Sequence, residues 1–130
     1  MDDFAEIAAK VFDFLVTGEG FQCEQRSNQR VVYSNKKTVI QLAMGDHGEF
    51  GMSFDRIPAS RYSYPFEFYL KTFAPNDHSS LGESTAKSRL ELEVGLRKLA
   101  RLLKQHGRPI FDGEASIYER MDSDFRNSHT

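Results

Sequence analysis

Alternation of apolar and polar residues over residues 30–57 limits the folds open to this chain more than any other feature. Three alternating runs are separated by two groups of turn residues. The last run is the clearest, because Phe50, Met52 and Phe54 point to one side of a strand and the residues between them to the other. Asn35-Lys36 is expected to make the first hairpin turn, because asparagine tolerates positive φ. The stretch therefore predicts an antiparallel meander with one buried face.

The segments before and after the meander have helical periodicity, and the helices that they predict would cover that face. Apolar residues recur at helical spacing over residues 3–16, 65–74, 87–106 and 114–121. The sequence therefore predicts an α+β fold: an N-terminal helix, an antiparallel sheet of three to four strands, and two or three helices packed on one face of the sheet. Gly95 lies inside the longest helix, and we expect it to allow close packing against a strand or another helix.

The length of 130 residues suits one domain. We expect that domain to span residues 1–121, because the polar residues 122–130 read as a flexible C-terminal tail. Residues 75–86 contain little that could be buried, and we expect a mobile loop there.

Charge and cysteine content restrict the function classes. A net charge of −2 provides no general attraction for nucleic acid or membranes. The acidic, amphipathic start does not resemble a signal peptide, and no apolar run is long enough to span a bilayer, so we expect a cytoplasmic protein. The single cysteine, Cys23, can form no internal disulfide and is expected to be a buried, inert thiol.

No residue pattern of a catalytic or metal site is present. The four histidines are scattered and no pair has the spacing of metal ligands. Gly45, Gly48 and Gly51 miss the spacing of phosphate-binding loops. Glu49 and Asp55 would lie about 20 Å apart along a strand, which is too far for joint acid–base chemistry. The sequence therefore predicts a non-enzymatic protein without a cofactor.

The candidate partner-binding residues lie at the end of the last strand and just after it. Tyrosine and arginine are enriched at protein interfaces, and this segment contains both. The alternative is that its tyrosines pack beneath the short helix. The predicted set is Ser53, Asp55, Arg56, Arg61, Tyr62 and Tyr64.

A basic stripe on the longest helix supports a different function. Arg97, Arg101, Lys104 and Arg108 follow one another at spacings of four, three and four, which places them on one face. Such a stripe could contact phosphates in a nucleic-acid-associated regulator. The alternative is a solvated face, with the acidic N-terminal helix complementing the basic one in the fold. A third possible function is a small-ligand domain, with a deep apolar cavity between sheet and helices lined by several phenylalanines.

The order of the segments along the chain resembles that of a known class of small proteins. An acidic helix is followed by Val31-Val-Tyr-Ser-Asn-Lys-Lys-Thr-Val-Ile-Gln-Leu42, Glu49-Phe-Gly-Met-Ser-Phe-Asp-Arg-Ile57 and Leu96-Arg-Lys-Leu-Ala-Arg-Leu-Leu-Lys104. Over residues 3–121 this order resembles small bacterial domains that include immunity proteins of toxin systems. The resemblance implies a stoichiometric inhibitor that binds a toxin-like protein and performs no reaction. It rests on element order, so it assigns no residue roles. The expected mechanism is steric occlusion by the sheet surface and its rim, in a monomer or homodimer.

Overall fold

The computed structural model describes residues 3–57, 63–79, 81 and 84–128. The helices in these ranges are α1 (Phe4–Val11), α2 (Asp13–Thr17), α3 (Phe66–Phe73), α4 (Pro75–His78), α5 (Arg89–His106), α6 (Arg108–Phe111) and α7 (Ala115–Ser128). The strands are β1 (Gln22–Ser27), β2 (Arg30–Ser34), β3 (Thr38–Met44), β4 (Phe50–Arg56) and β5 (Tyr64–Pro65).

The strands form one antiparallel meander in the order β1-β2-β3-β4-β5. The predicted meander is confirmed, and the short strand β5 extends it beyond the three to four strands expected. The register aligns Tyr33, Ile40, Phe54 and Tyr64 across four neighbouring strands. Paired residues share a face, so these four side chains lie on one side of the sheet. All four belong to the hydrophobic core.

The helices cover that same side. α1 contacts β2 and α5, and α3 contacts β4. The expected helical layer on one face is therefore confirmed. The N-terminal helix expected over residues 3–16 is interrupted at Phe12, whose buried side chain still faces the core.

An aromatic cluster joins the sheet to α3 and α7. The ring centroid of Phe54 lies 6.0 Å from that of Tyr64, 5.7 Å from Tyr69 and 5.9 Å from Tyr118. Tyr69 and Tyr118 meet Phe54 edge to face, which is a favourable ring geometry. Because one strand residue contacts rings from two helices, Phe54 links elements that are far apart in sequence.

The first hairpin turn is built by the side chain of Asn35. Its Oδ1 accepts hydrogen bonds from the backbone N–H groups of Lys37 and Thr38, both at 2.7 Å. Within the described ranges, positive φ occurs at glycines and at no other residue. The expected positive φ at Asn35-Lys36 is therefore wrong, and the asparagine side chain takes the place of a backbone acceptor.

Residues 75–86, expected to be a mobile loop, contain regular structure. The segment begins with α4, and its end is bonded to the β3–β4 turn. The N–H of Phe50 donates to the carbonyl of Ser84 at 2.8 Å, and the N–H of Ala86 donates to the carbonyl of Gly48 at 2.9 Å. Long-range hydrogen bonds, which no local pattern indicates, make the loop prediction wrong for these parts. Residues 80, 82 and 83 lie outside the described ranges.

Two further expectations are corrected. The helix predicted to end at Met121 continues to Ser128, so the described part of the predicted tail, residues 122–128, is helical. Cys23 is exposed rather than buried, because the whole edge strand β1 is exposed on both of its faces.

Gly95 packs closely on the sheet, as expected. A Cβ atom at this position would lie 2.4 Å from Cζ of Phe50. Gly95→Ala normally stabilises a helix interior by about 1 kcal/mol, but overpacking costs about 1–3 kcal/mol. We therefore expect a net loss in the free energy of unfolding, measured by urea denaturation. The loss should shrink when Phe50→Leu is added, because the smaller side chain can move away. A gain in stability from Gly95→Ala alone would contradict this packing.

Candidate functional site

The sheet side opposite the helical layer forms a continuous surface, here called the open face. The register places outward-pointing residues of β2, β3 and β4 next to one another, because alternate residues point to opposite sides. The open face consists of Arg30, Val32, Ser34, Val39, Gln41, Ala43, Gly51, Ser53 and Asp55. Glu24 of β1 pairs with Val32 and extends it by one strand.

The middle of the open face is small and uncharged. Val32 is only 8% exposed but lies outside the core cluster, so its cover comes from neighbours on the face itself. Arg30 donates a 2.7 Å hydrogen bond from Nη2 to Oε1 of Gln41 at one end, and Asp55 lies at the other. On the β1 side, Glu24 and Arg26 form an ion pair at 3.1 Å. An uncharged centre with a charged rim is the usual composition of a protein interface.

The structure places the described members of the predicted partner-binding set on opposite sides of the sheet. Ser53 and Asp55 lie on the open face. Arg56 lies on the covered side, with its guanidinium carbon 5.2 Å from the ring centroid of Tyr118. Tyr64 is fully buried and pairs with Phe54, so its place in a partner-binding surface is corrected. For Arg56 the physical reason is the two-residue period, which sends consecutive strand residues to opposite faces. Tyr64 is buried because β5 pairs it with Phe54, on the covered side. Arg61 and Tyr62 lie outside the described ranges.

A buried hydrogen-bond chain supports the Asp55 end of the open face from behind. Thr38 Oγ1 donates to the backbone carbonyl of Asp55 at 2.7 Å and lies 3.2 Å from the hydroxyl of Tyr118. A threonine hydroxyl has one proton, so Tyr118 is the donor in the second bond. Burial raises the pKa of Tyr118 further above the ordinary tyrosine value, so its hydroxyl remains a donor into the alkaline range. Burial likewise raises the pKa of Tyr69 to about 12.

The basic stripe is exposed, but only Arg97, Arg101 and Lys104 lie on α5, because that helix ends at His106 and Arg108 begins α6. Part of its charge is also engaged within the fold. Arg97 bonds to Glu93 at 2.9 Å, and Arg108 bonds to Glu19 at 2.8 Å. Lys104 lies 4.7 Å from the ring centroid of Phe14. Arg101 is exposed. The stripe therefore presents less free positive charge than its sequence suggests.

The acidic N-terminal region and the basic late helix do complement each other. Arg89 at the start of α5 bonds to Asp3 at 2.7 Å and lies 3.9 Å from Glu6. The Arg108–Glu19 pair makes a second link of the same kind at the start of α6, just beyond the other end of α5. Because Arg89, Asp3, Glu6 and Arg108 are largely solvent-accessible, each pair contributes little stability, although the Glu19 side chain is partly buried.

A groove of about 500 Å³ runs beside α5 and was missed by the sequence analysis. Phe50 lies in its lining together with two exposed apolar residues, Leu90 and Val94. Leu90 and Val94 are four residues apart and fall outside the buried stripe of α5, and this displacement is a signal in the sequence that could have revealed them. The groove is open to solvent and has one phenylalanine in its lining, unlike the deep cavity that a small-ligand domain would require.

No group of three or more histidine, cysteine, aspartate or glutamate side chains among the described residues could hold a metal ion. None of the helices in the described part of the chain is both long and apolar enough to cross a membrane. Comparison with protein-family models, with curated proteins and with solved structures finds no match.

Proposed function

We propose that this chain is a non-enzymatic binding module whose open face occludes a functional surface of another protein. The observation that carries the proposal is the uncovered sheet side, with an uncharged centre and a charged rim. In its specific form the proposal is an immunity-type inhibitor that binds a toxin-like protein in equal stoichiometry. That form rests on the element order of the sequence.

The open face is smaller than the area that a stable protein interface buries on each partner. Four strands spaced about 4.8 Å apart, each about six residues long, give a surface of roughly 400 Å². A stable interface buries about 800 Å² on each partner. The partner would therefore also contact the rim, where Glu24, Arg26 and Asp55 supply charges of both signs. Those charges would determine orientation and the rate of association more than affinity.

A nucleic-acid-associated regulator is the second candidate, because Arg97, Arg101 and Lys104 are exposed as that function requires. Its weakness is the engagement of Arg97 with Glu93. Binding of this kind would weaken steeply with salt, whereas occlusion by the open face would depend little on the stripe.

The test is a pull-down from lysate of the source cells with three variants. Gly51→Arg places a long side chain on the open face, where an added Cβ meets nothing within 4 Å, so the fold should tolerate it. Ser116→Arg adds the same side chain at an exposed position of α7 and is the matched control. We expect Gly51→Arg to reduce capture of one stoichiometric protein about tenfold or more, because it leaves an unpaired charge in the interface centre.

The third variant, Arg101→Ala, and nuclease treatment separate the two candidates. If the open face is the binding surface, neither changes the captured protein. Capture that survives Gly51→Arg but disappears with nuclease or with Arg101→Ala would overturn the proposal in favour of the regulator. Far-UV circular dichroism of each variant checks that the fold is retained.

A further inference from the structure

Two large apolar side chains on α5 face solvent. Leu90 is 70% exposed and Val94 is 60% exposed, and they lie four residues apart, on one side of the helix. Beside them is the groove, whose lining also includes Phe50, Leu81 and Gly95. Neighbouring exposed apolar residues next to a groove mark a contact surface more strongly than isolated ones do.

Two opposite charges are placed symmetrically in sequence about Val94 and Gly95. Glu91 lies three residues before Val94, and Lys98 lies three residues after Gly95. Both line the groove. The Glu91 carboxylate accepts a 3.4 Å hydrogen bond from the hydroxyl of Ser88, and among the described residues neither Glu91 nor Lys98 has an oppositely charged partner within ion-pair distance. The neighbouring Arg97, by contrast, is already paired with Glu93 within the same helix.

This arrangement is complementary to itself. If two copies of α5 cross antiparallel about a two-fold axis at Val94 and Gly95, Glu91 of each copy faces Lys98 of the other. Val94 of each copy then meets Gly95 of the other and the ring of Phe50 packed against it, both of which line the groove. A two-fold interface requires such reciprocal contacts, because the same patch must serve both partners.

We propose that the groove beside α5 binds a second copy of this chain and forms a two-fold dimer. Leu90 and Val94 of one copy enter the groove of the other, and two Glu91–Lys98 pairs set the antiparallel direction. The contact is smaller than a standard interface, so the dimer is weak and depends on protein concentration. α5 lies on the covered side of the sheet, so both open faces remain available. A dimer would therefore present two binding surfaces and could gain affinity for a multivalent partner.

Charge reversal at Glu91 and Lys98 tests the dimer by sedimentation velocity from micromolar to submillimolar protein. Glu91→Lys alone and Lys98→Glu alone each replace two attractive pairs by two repulsive ones. We expect each to weaken dimerisation about tenfold. The double variant restores both pairs and should restore the dimer. An equimolar mixture of the two single variants should also form a mixed dimer, because every facing pair is again of opposite sign.

Val94→Gln is a second probe that removes apolar contact without touching the core, since Val94 is exposed in the single chain. It should abolish the dimer and leave the thermal unfolding of dilute protein unchanged. A wild-type chain that stays monomeric throughout overturns the dimer, as does a dimer unaffected by the single reversals. A dimer lost instead with Gly51→Arg would locate self-association on the open face and also overturn the proposal. Partner capture through the open face is measured separately, so either proposal can fail without the other.

Discussion

Phe54→Ala is expected to lower the free energy of unfolding by about 3–5 kcal/mol, the usual cost of removing a buried phenylalanine. Phe54 is 2% exposed, and its ring lies within 6.0 Å of the ring centroids of Tyr64, Tyr69 and Tyr118. Its removal leaves a cavity between the sheet and two helices, which cannot collapse around it independently. Against a typical total of about 5–15 kcal/mol, the loss should be visible as a large shift of the urea midpoint.

Phe73→Ala is the matched control, since it makes the same chemical change at a position that is 36% exposed. The ring centroid of Phe73 lies 5.1 Å from that of Tyr69, but Phe73 is at the C-terminal end of α3, at the surface. We expect it to cost about 1 kcal/mol. Equal costs at the two positions would mean that the cluster around Phe54 does not join the helical layer to the sheet.

Gly48→Ala is expected to lower the free energy of unfolding by about 2–5 kcal/mol. Gly48 has a φ of +84°, a conformation that costs other residues about 1–2 kcal/mol. In addition, a Cβ at this position would lie 2.3 Å from the carbonyl oxygen of Ala86, which is a backbone atom. The clash adds about 1–3 kcal/mol, because relief requires the 84–86 segment to move from the β3–β4 turn.

Gly20→Ala separates these two contributions. Gly20 also has positive φ, at +75°, but an added Cβ there meets nothing within 4 Å. Gly20→Ala should therefore show the conformational cost of about 1–2 kcal/mol alone. The difference between the two variants, measured by urea denaturation, reports the close approach of Ala86. If both variants cost the same, that approach contributes nothing to stability.

The candidate site shows which residues a strand pattern can assign to a face of the sheet and which it cannot. The two-residue period around Phe50, Met52 and Phe54 correctly directs Ser53 and Asp55 to the opposite side. The same period directs Arg56 to the covered side, and applying it one residue further would have removed Arg56 from the candidate set. Tyr64 was misassigned for a different reason. Its burial depends on pairing with Phe54 and contact with Tyr118, which lie ten and 54 residues away in sequence.

The sequence by itself determined the meander, the amphipathic helices, their common side of the sheet and the need for a glycine at position 95. These features follow from the spacing of apolar residues over a few turns or strand repeats, and that spacing is local. Only the tertiary structure decided that residues 84–86 bind to the β3–β4 turn and that a groove lies beside Leu90 and Val94. Both features depend on which groups from distant parts of the chain come together, and such contacts leave no periodic trace in the sequence.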